Sequence, residues 1–126
     1  IVAQYCQSAT IMYAGQVVEV AQMERLFENP LHPYTQALLG SIRAAGTTAR
    51  GKPLPGVAPN PLSLPPGCLL EPRCPLRRPE CQQINPPLAE VEPGHLVRCV
   101  LHPGTSSTGA GVAIASTVDV PAVETR

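Results

Sequence analysis

Residues 28–42 read ENPLHPYTQALLGSI, and this stretch decides how the chain is organised. Asn29-Pro30 closes one helical pattern, and Leu31-His32-Pro33 opens another after only a short break. Pro33 brings a pre-set φ to a first helical turn, where its missing N–H costs little. Tyr34, Leu38 and Ile42 then recur at every fourth position with Ala37 beside them, which predicts a helix with that set as its apolar face. His32, with Pro30 and Pro33 around it at a helix start, reads as a capping or packing residue rather than a general base.

Upstream, Ala9–Tyr13 and Gln16–Val20 read as two short strands. Ala14-Gly15 between them is a two-residue connection, with glycine able to take the positive φ of a tight hairpin. Ile1–Cys6 fits the end of a helix, and Ala21–Glu28 a short helix in which Met23, Leu26 and Phe27 share a face. Downstream, residues 45–66 are Gly/Pro-rich and predict a loop or extended linker. Residues 67–103 hold cysteines with little regular pattern. After Pro103 the chain turns to Gly, Ser, Thr, Ala and Val, which predicts a disordered tail with at most a weak strand through Val112, Ile114, Val118 and Val120. The expected fold class is therefore α+β, small and irregular: a short β-hairpin, two short helices, then a Pro-rich, cysteine-containing extension.

Composition sets bounds on this scheme. Hydrophobic residues make up 44% of the 126, yet aromatics only 3%, and sixteen prolines break the chain into short runs. Small aliphatic side chains bury modest area each, so one large self-contained core is not expected. Net charge is zero, with no basic run longer than Arg77-Arg78, which removes the electrostatic footprint of a nucleic-acid binder. No apolar run approaches the roughly 18–20 residues that span a bilayer, and Ile1-Val2-Ala3 does not open a signal peptide. These features predict a soluble cytoplasmic protein, and the missing initiator Met fits a chain cut from something longer.

Cys68, Cys74, Cys81 and Cys99 are spaced C-x5-C-x6-C-x17-C, in a window that holds no Phe, Tyr or Trp. Burial alone cannot offset the chain entropy of such a segment, so a staple is expected wherever it is ordered. Four thiolates suit a tetrahedral zinc or the irons of a cubane cluster, and two disulfides would close the same loops. The absence of paired C-x2–4-C ligands favours a cluster over zinc, and a cytoplasmic setting disfavours disulfides; unliganded thiols remain open. His95 and His102 flank Cys99 as alternative ligands, although each reads better as structural. Arg73, Arg77 and Arg78 are placed to offset negative charge at the thiols and lower their pKa values, unless they are simply solvated loop residues. Cys6, without a partner, reads as an inert buried thiol.

Machinery for nucleotide hydrolysis is not visible. No G-x-x-x-x-G-K-[ST] loop occurs, the one lysine, Lys52, lacks the glycine spacing and hydroxyl, and no LSGGQ-like signature or acid-terminated hydrophobic strand is present. Nor is there a nucleophile–base–orienter trio.

Met12–Glu19, MYAGQVVE, taken with NPLHPYTQALL, resembles the ATP-binding subunits of ABC importers for oligopeptides and dipeptides, and the resemblance runs from Ile1 to about Pro103. It implies that residues 1–20 are the C-terminal end of an ABC ATPase domain, 21–103 the oligopeptide-transporter-type C-terminal extension, and 104–126 a tail. The chain would then be an incomplete piece of a P-loop ATPase subunit, beginning just after the family's switch histidine. ATP and Mg²⁺ would belong to the parent protein and not bind here. Pro65-Pro66-Gly67-Cys68, Pro72-Arg73-Cys74-Pro75, Cys81 and Cys99 match the family segment in which some members are taken to hold a 4Fe–4S cluster, with zinc as the alternative. Implied partners are transmembrane permease subunits and a second ATP-binding subunit, at the inner face of the cell membrane. A stand-alone zinc- or iron–sulfur-binding interaction module is the competing reading.

Overall fold

The computed structural model describes residues 2–44 and 52–104. The expected tail, with its weak strand, and the first part of the Gly/Pro-rich stretch lie outside the described residues. After one helical turn, α1 (Val2–Tyr5), the chain forms β1 (Ser8–Tyr13) and β2 (Gln16–Gln22), an antiparallel hairpin. Its Ala14-Gly15 connection has φ of 49° and 78°, so both residues are left-handed, as a two-residue turn of the primed kind requires. The register slips between Ile11 and Met12, leaving Val18 as the extra residue of a β-bulge. Val18 and Glu19 are consequently both buried, on a strand covered from both sides.

The helix α2 (Met23–Glu28) follows β2 directly and buries Met23 and Leu26, with Phe27 packed beside them. After a break at 29–32, α3 (Pro33–Ala44) begins at the proline that the sequence marked. Its docking face differs from the expected one. Leu38 is 38% and Ile42 56% exposed, whereas Thr35 and Leu39 are buried. Tyr34 is half-buried, with its ring 4.8 Å from that of Tyr13. The helix is rotated relative to its apolar pattern because its first turn is tied down by hydrogen bonds, described below, rather than by apolar contact alone.

Beyond the helices, residues 52–70 follow turns and bends, and two short 3₁₀ turns occupy Glu71–Arg73 and Pro79–Gln82. The cysteine segment was not expected to contribute regular structure, but it adds a second hairpin, β3 (Ala89–Glu92) and β4 (His95–Val97), closed by Gly94 at φ 74°. The four strands form one antiparallel sheet in the order β1-β2-β4-β3, with Glu19 opposite Val97 and Val20 opposite Leu96. Residues 1–20 and the cysteine segment thus share a sheet. Apolar burial is divided between two small clusters: Tyr13, Val18, Leu69 and Leu70 in one, and Ala21, Leu26 and Leu39 in the other.

Candidate functional site

Glu19 is a fully buried charged residue, at zero exposure on the central strand β2. Its Oε1 accepts from the Leu31 N–H at 2.8 Å and lies 2.7 Å from His95 Nε2, while its Oε2 accepts from the His32 N–H at 3.0 Å. One carboxylate therefore ties together three elements: β2, the turn that opens α3, and β4. A buried carboxylate costs free energy unless its lone pairs are filled, and here three N–H groups fill them. Sequence reading passed over Glu19; its one mark was a lone acid within an otherwise apolar strand, VVEV.

His32, itself 1% exposed, occupies the N-cap position of α3. Its Nδ1 accepts from the Tyr34 N–H at 3.1 Å, satisfying one of the helix's orphan donors. That bond places the ring proton on Nε2, on the side where the Arg98 backbone favours a donor. Burial pushes the His32 pKa down to about 4, against the opposing pull of Glu19, so the ring is neutral near pH 7. The capping role read from the sequence is the one that the structure shows. His95 is likewise structural, buried against Glu19, and its Nδ1 has no partner among the described residues.

Below this clamp lies the cysteine segment. Cys68, Cys74, Cys81 and Cys99 all line one cleft, which His32 and Pro33 also border and which Leu70 and Leu101 help to close. Local geometry explains how two of the cysteines, Cys68 and Cys81, come together. Gly67 lies so close to the Cys81–Gln82 backbone that a Cβ there would sit 2.3 Å from the Cys81 carbonyl oxygen, and the Cys68 N–H donates to that carbonyl at 2.8 Å. The glycine of the Pro-Pro-Gly-Cys motif is thus the residue that allows Cys68 to approach Cys81. Cys99 arrives separately, two residues after the end of β4.

Three of the cysteines share one backbone device. Cys68, Cys74 and Cys99 each open a turn in which their carbonyl accepts from the N–H three residues on, at 3.1, 3.4 and 3.1 Å. In each turn the backbone two residues on, at Leu70, Leu76 and Leu101, is placed to favour the thiolate form of the sulfur. Burial nevertheless raises all three thiol pKa values, and the neighbouring cysteines push them further up. Burial thus favours neutral thiols; were the four sulfurs to hold a metal centre they would do so as thiolates, which these backbone groups would help to stabilise.

The arginines do not lower the thiol pKa values as expected. Arg73 donates to the Pro55 carbonyl and to Tyr13 Oη, at 2.9 and 3.3 Å. Arg77 and Arg78 lie 3.8 and 4.0 Å from Glu71 and Glu80, largely in solvent. Cys6 is exposed, not buried, because α1 ends at Tyr5 and leaves it outside the core. Among the described residues, no three Cys, His, Asp or Glu side chains are placed to hold one metal ion jointly. The four thiols border a common cleft without forming such a group, so neither the iron–sulfur cluster expected from the sequence nor the alternative zinc gains support from the described residues. No helix among the described residues is long and apolar enough to cross a membrane.

Comparison with known proteins bears on the whole arrangement. Residues 18–81, from the bulge of β2 through Cys81, match the family described as oligopeptide/dipeptide transporter, C-terminal region. A probable peptide ABC transporter ATP-binding protein of Sinorhizobium fredii is 41% identical over 101 residues, covering 79% of this chain and 30% of the relative. The oligopeptide transport ATP-binding protein AppF of Bacillus subtilis is 41% identical over 96 residues, covering 73% of this chain and 29% of its own. AppD of the same organism, also an oligopeptide transport ATP-binding protein, is 41% identical over 103 residues, or 81% and 31%. The chain spans under a third of the length of these curated relatives.

Proposed function

This chain belongs to the oligopeptide/dipeptide transporter C-terminal-region family, and from that premise we propose that it serves as the C-terminal region of the ATP-binding subunit of a peptide-importing ABC transporter. The match over residues 18–81 carries this reading. In this role residues 1–20 complete the edge of an ATPase domain, and 21–103 form the extension that follows it. ATP and Mg²⁺ are bound by the parent protein, which pairs with permease subunits and a second ATP-binding subunit at the inner membrane face. This chain contributes structure to ATP-driven peptide import and no hydrolytic residue of its own.

The four-thiol cleft is the functional feature within the extension. Cys68, Cys74, Cys81 and Cys99 are the residues that would hold an iron–sulfur cluster. A cubane distributes its four ligands over four irons, so the sulfurs need not meet at one point. A one-electron cofactor would supply redox sensing or a rigid staple there. Leu70, Leu76 and Leu101 direct backbone N–H groups at three of the sulfurs, the kind of contact that tunes such centres. Pro33, Leu70 and Leu101 keep the cleft apolar on its inner side.

A chimera tests the transport role: the matching region of AppF is replaced by residues 1–103 of this chain in a strain that depends on that importer. Oligopeptide uptake is expected to be retained, with ATP hydrolysis arising only from the AppF portion. Stable, membrane-associated chimera without uptake overturns the assignment.

A further inference from the structure

Three of the four thiols come from one segment, 68–81, whereas Cys99 comes from the far end of the second hairpin. Its position is determined by what holds β4 to the rest of the molecule. The β2–β4 pairing is short, two residue pairs, and is extended by the Arg98 N–H donating to the Val18 carbonyl at 2.8 Å. The Arg98 guanidinium donates further to the Val17 and Pro86 carbonyls, at 2.8 and 2.9 Å. Two buried side chains add to this. Glu19 holds His95 on β4 and the His32 N–H at the start of α3, and the His32 ring lies beside the Arg98 backbone, one residue before Cys99, with which it borders the same cleft. The same ring caps α3 and borders the thiol cleft.

We propose that Glu19, His32 and His95 are positioning residues for the four-thiol site, with the His32 ring acting as the strut that sets Cys99 opposite Cys68, Cys74 and Cys81. The Leu31-His32-Pro33 turn and the cysteine array are then one device: the turn that starts α3 also builds the cleft. Within it the two ring nitrogens have separate tasks. Nδ1 serves the helix through Tyr34, and Nε2 serves the Arg98–Cys99 segment. The proposal rests on the reading that the four thiols act as one site, but its test does not require that they bind iron.

Separate nitrogens permit a paired substitution in the full chain. His32→Asn places an acceptor where Nδ1 was, preserving the cap, but is too short to reach Arg98. His32→Gln places an amide N–H near the Nε2 position and gives up the cap. In a background carrying Cys68 and Cys99 with the other cysteines as serine, oxidation by diamide converts the two thiols to a disulfide as the reagent takes up both hydrogens. The rate reports how closely Cys99 is held to Cys68. Far-UV circular dichroism reads α3, and iron content after anaerobic purification is measured in parallel on chains with all four cysteines.

His32→Asn is expected to keep its helicity yet lose about tenfold or more in cross-linking rate, a loss of effective concentration. His32→Gln is expected to cross-link within about twofold of the parent while losing helicity. Glu19→Ala should slow cross-linking as His32→Asn does. Wild-type cross-linking rates in folded His32→Asn overturn the proposal, as does an equal loss in both His32 variants. If wild-type chain purifies without iron while the cross-linking pattern holds, the cluster reading fails and the positioning role stands. If it holds iron, and His32→Asn holds and cross-links the same, the reverse is true.

Discussion

Replacing Glu19 by alanine removes the acceptor for three N–H groups at once: Leu31, His32 and His95 Nε2. Each donor left buried without a partner costs about 1–3 kcal/mol, so the sum lies at about 3–9 kcal/mol. Because the three share one carboxylate their costs are not additive, and we take about 4 kcal/mol as the expected loss, at the upper edge of single-substitution effects. Thermal unfolding followed by circular dichroism reads this as a fall in Tm of more than about 15 °C, from about 4–8 °C per kcal/mol in a domain of this size. His95→Gln is the informative companion. Glutamine keeps an N–H donor for Glu19 and leaves both backbone bonds to residues 31 and 32 in place, so its loss is expected at about 1 kcal/mol. If His95→Gln costs as much as Glu19→Ala, the clamp is a pairwise Glu–His contact and not a three-donor hub. A Glu19→Ala protein within about 1 kcal/mol of the parent refutes the reasoning altogether, since it would mean that those donors find other partners at no cost.

Other expectations follow from the same geometry. Gly67→Ala forces a methyl into the Cys81 carbonyl, and the backbone shift should cost about 1–3 kcal/mol in urea unfolding. Ala14→Asn, by placing a residue tolerant of positive φ at the left-handed first turn position, should stabilise the hairpin by about 0.5–1 kcal/mol in the same assay. For His32, the folded pKa near 4 lies below the unfolded value of 6.5, so the unfolded chain binds the proton more readily between them. Stability is then full above pH 6.5 and declines as pH falls toward 4, by roughly 3 kcal/mol in all for this group in metal-free chain. Urea midpoints measured across that range should lose most of this slope in His32→Gln; an unchanged slope would assign it to other groups.

Much of the layout was legible because it rests on local chemistry. The hairpin around Ala14-Gly15, the two helices and the proline start of α3 each follow from signals within a few residues of one another. What remained hidden depended on distant contacts. β3 and β4 are four and three residues long, too short for alternation to register, and their strand character comes from pairing with each other and, for β4, with β2, nearly eighty residues earlier in sequence. The apolar face of α3 was misassigned because hydrophobic spacing records Tyr34, Leu38 and Ile42, whereas the docking face is set by the bonds from Glu19 to the preceding turn. Among candidate site residues, all four cysteines were found by spacing and do line one cleft. The carboxylate that organises their surroundings was not, since a lone glutamate in a strand carries no sign of the three donors that fold around it. The arginines failed as thiol activators for a related reason: nearness in sequence did not become nearness of charge to sulfur.

The central claim is that Cys68, Cys74, Cys81 and Cys99 form one ligand set within a transporter subunit's C-terminal region. Iron and acid-labile sulfide analysis of anaerobically purified protein, for the parent and for each single Cys→Ser variant, tests it most directly. The account predicts about four irons and four sulfides per chain, lost on replacing any one of the four and unaffected by Cys6→Ser. Parent protein that is colourless and free of iron after anaerobic reconstitution, or iron that survives loss of Cys99, would contradict it.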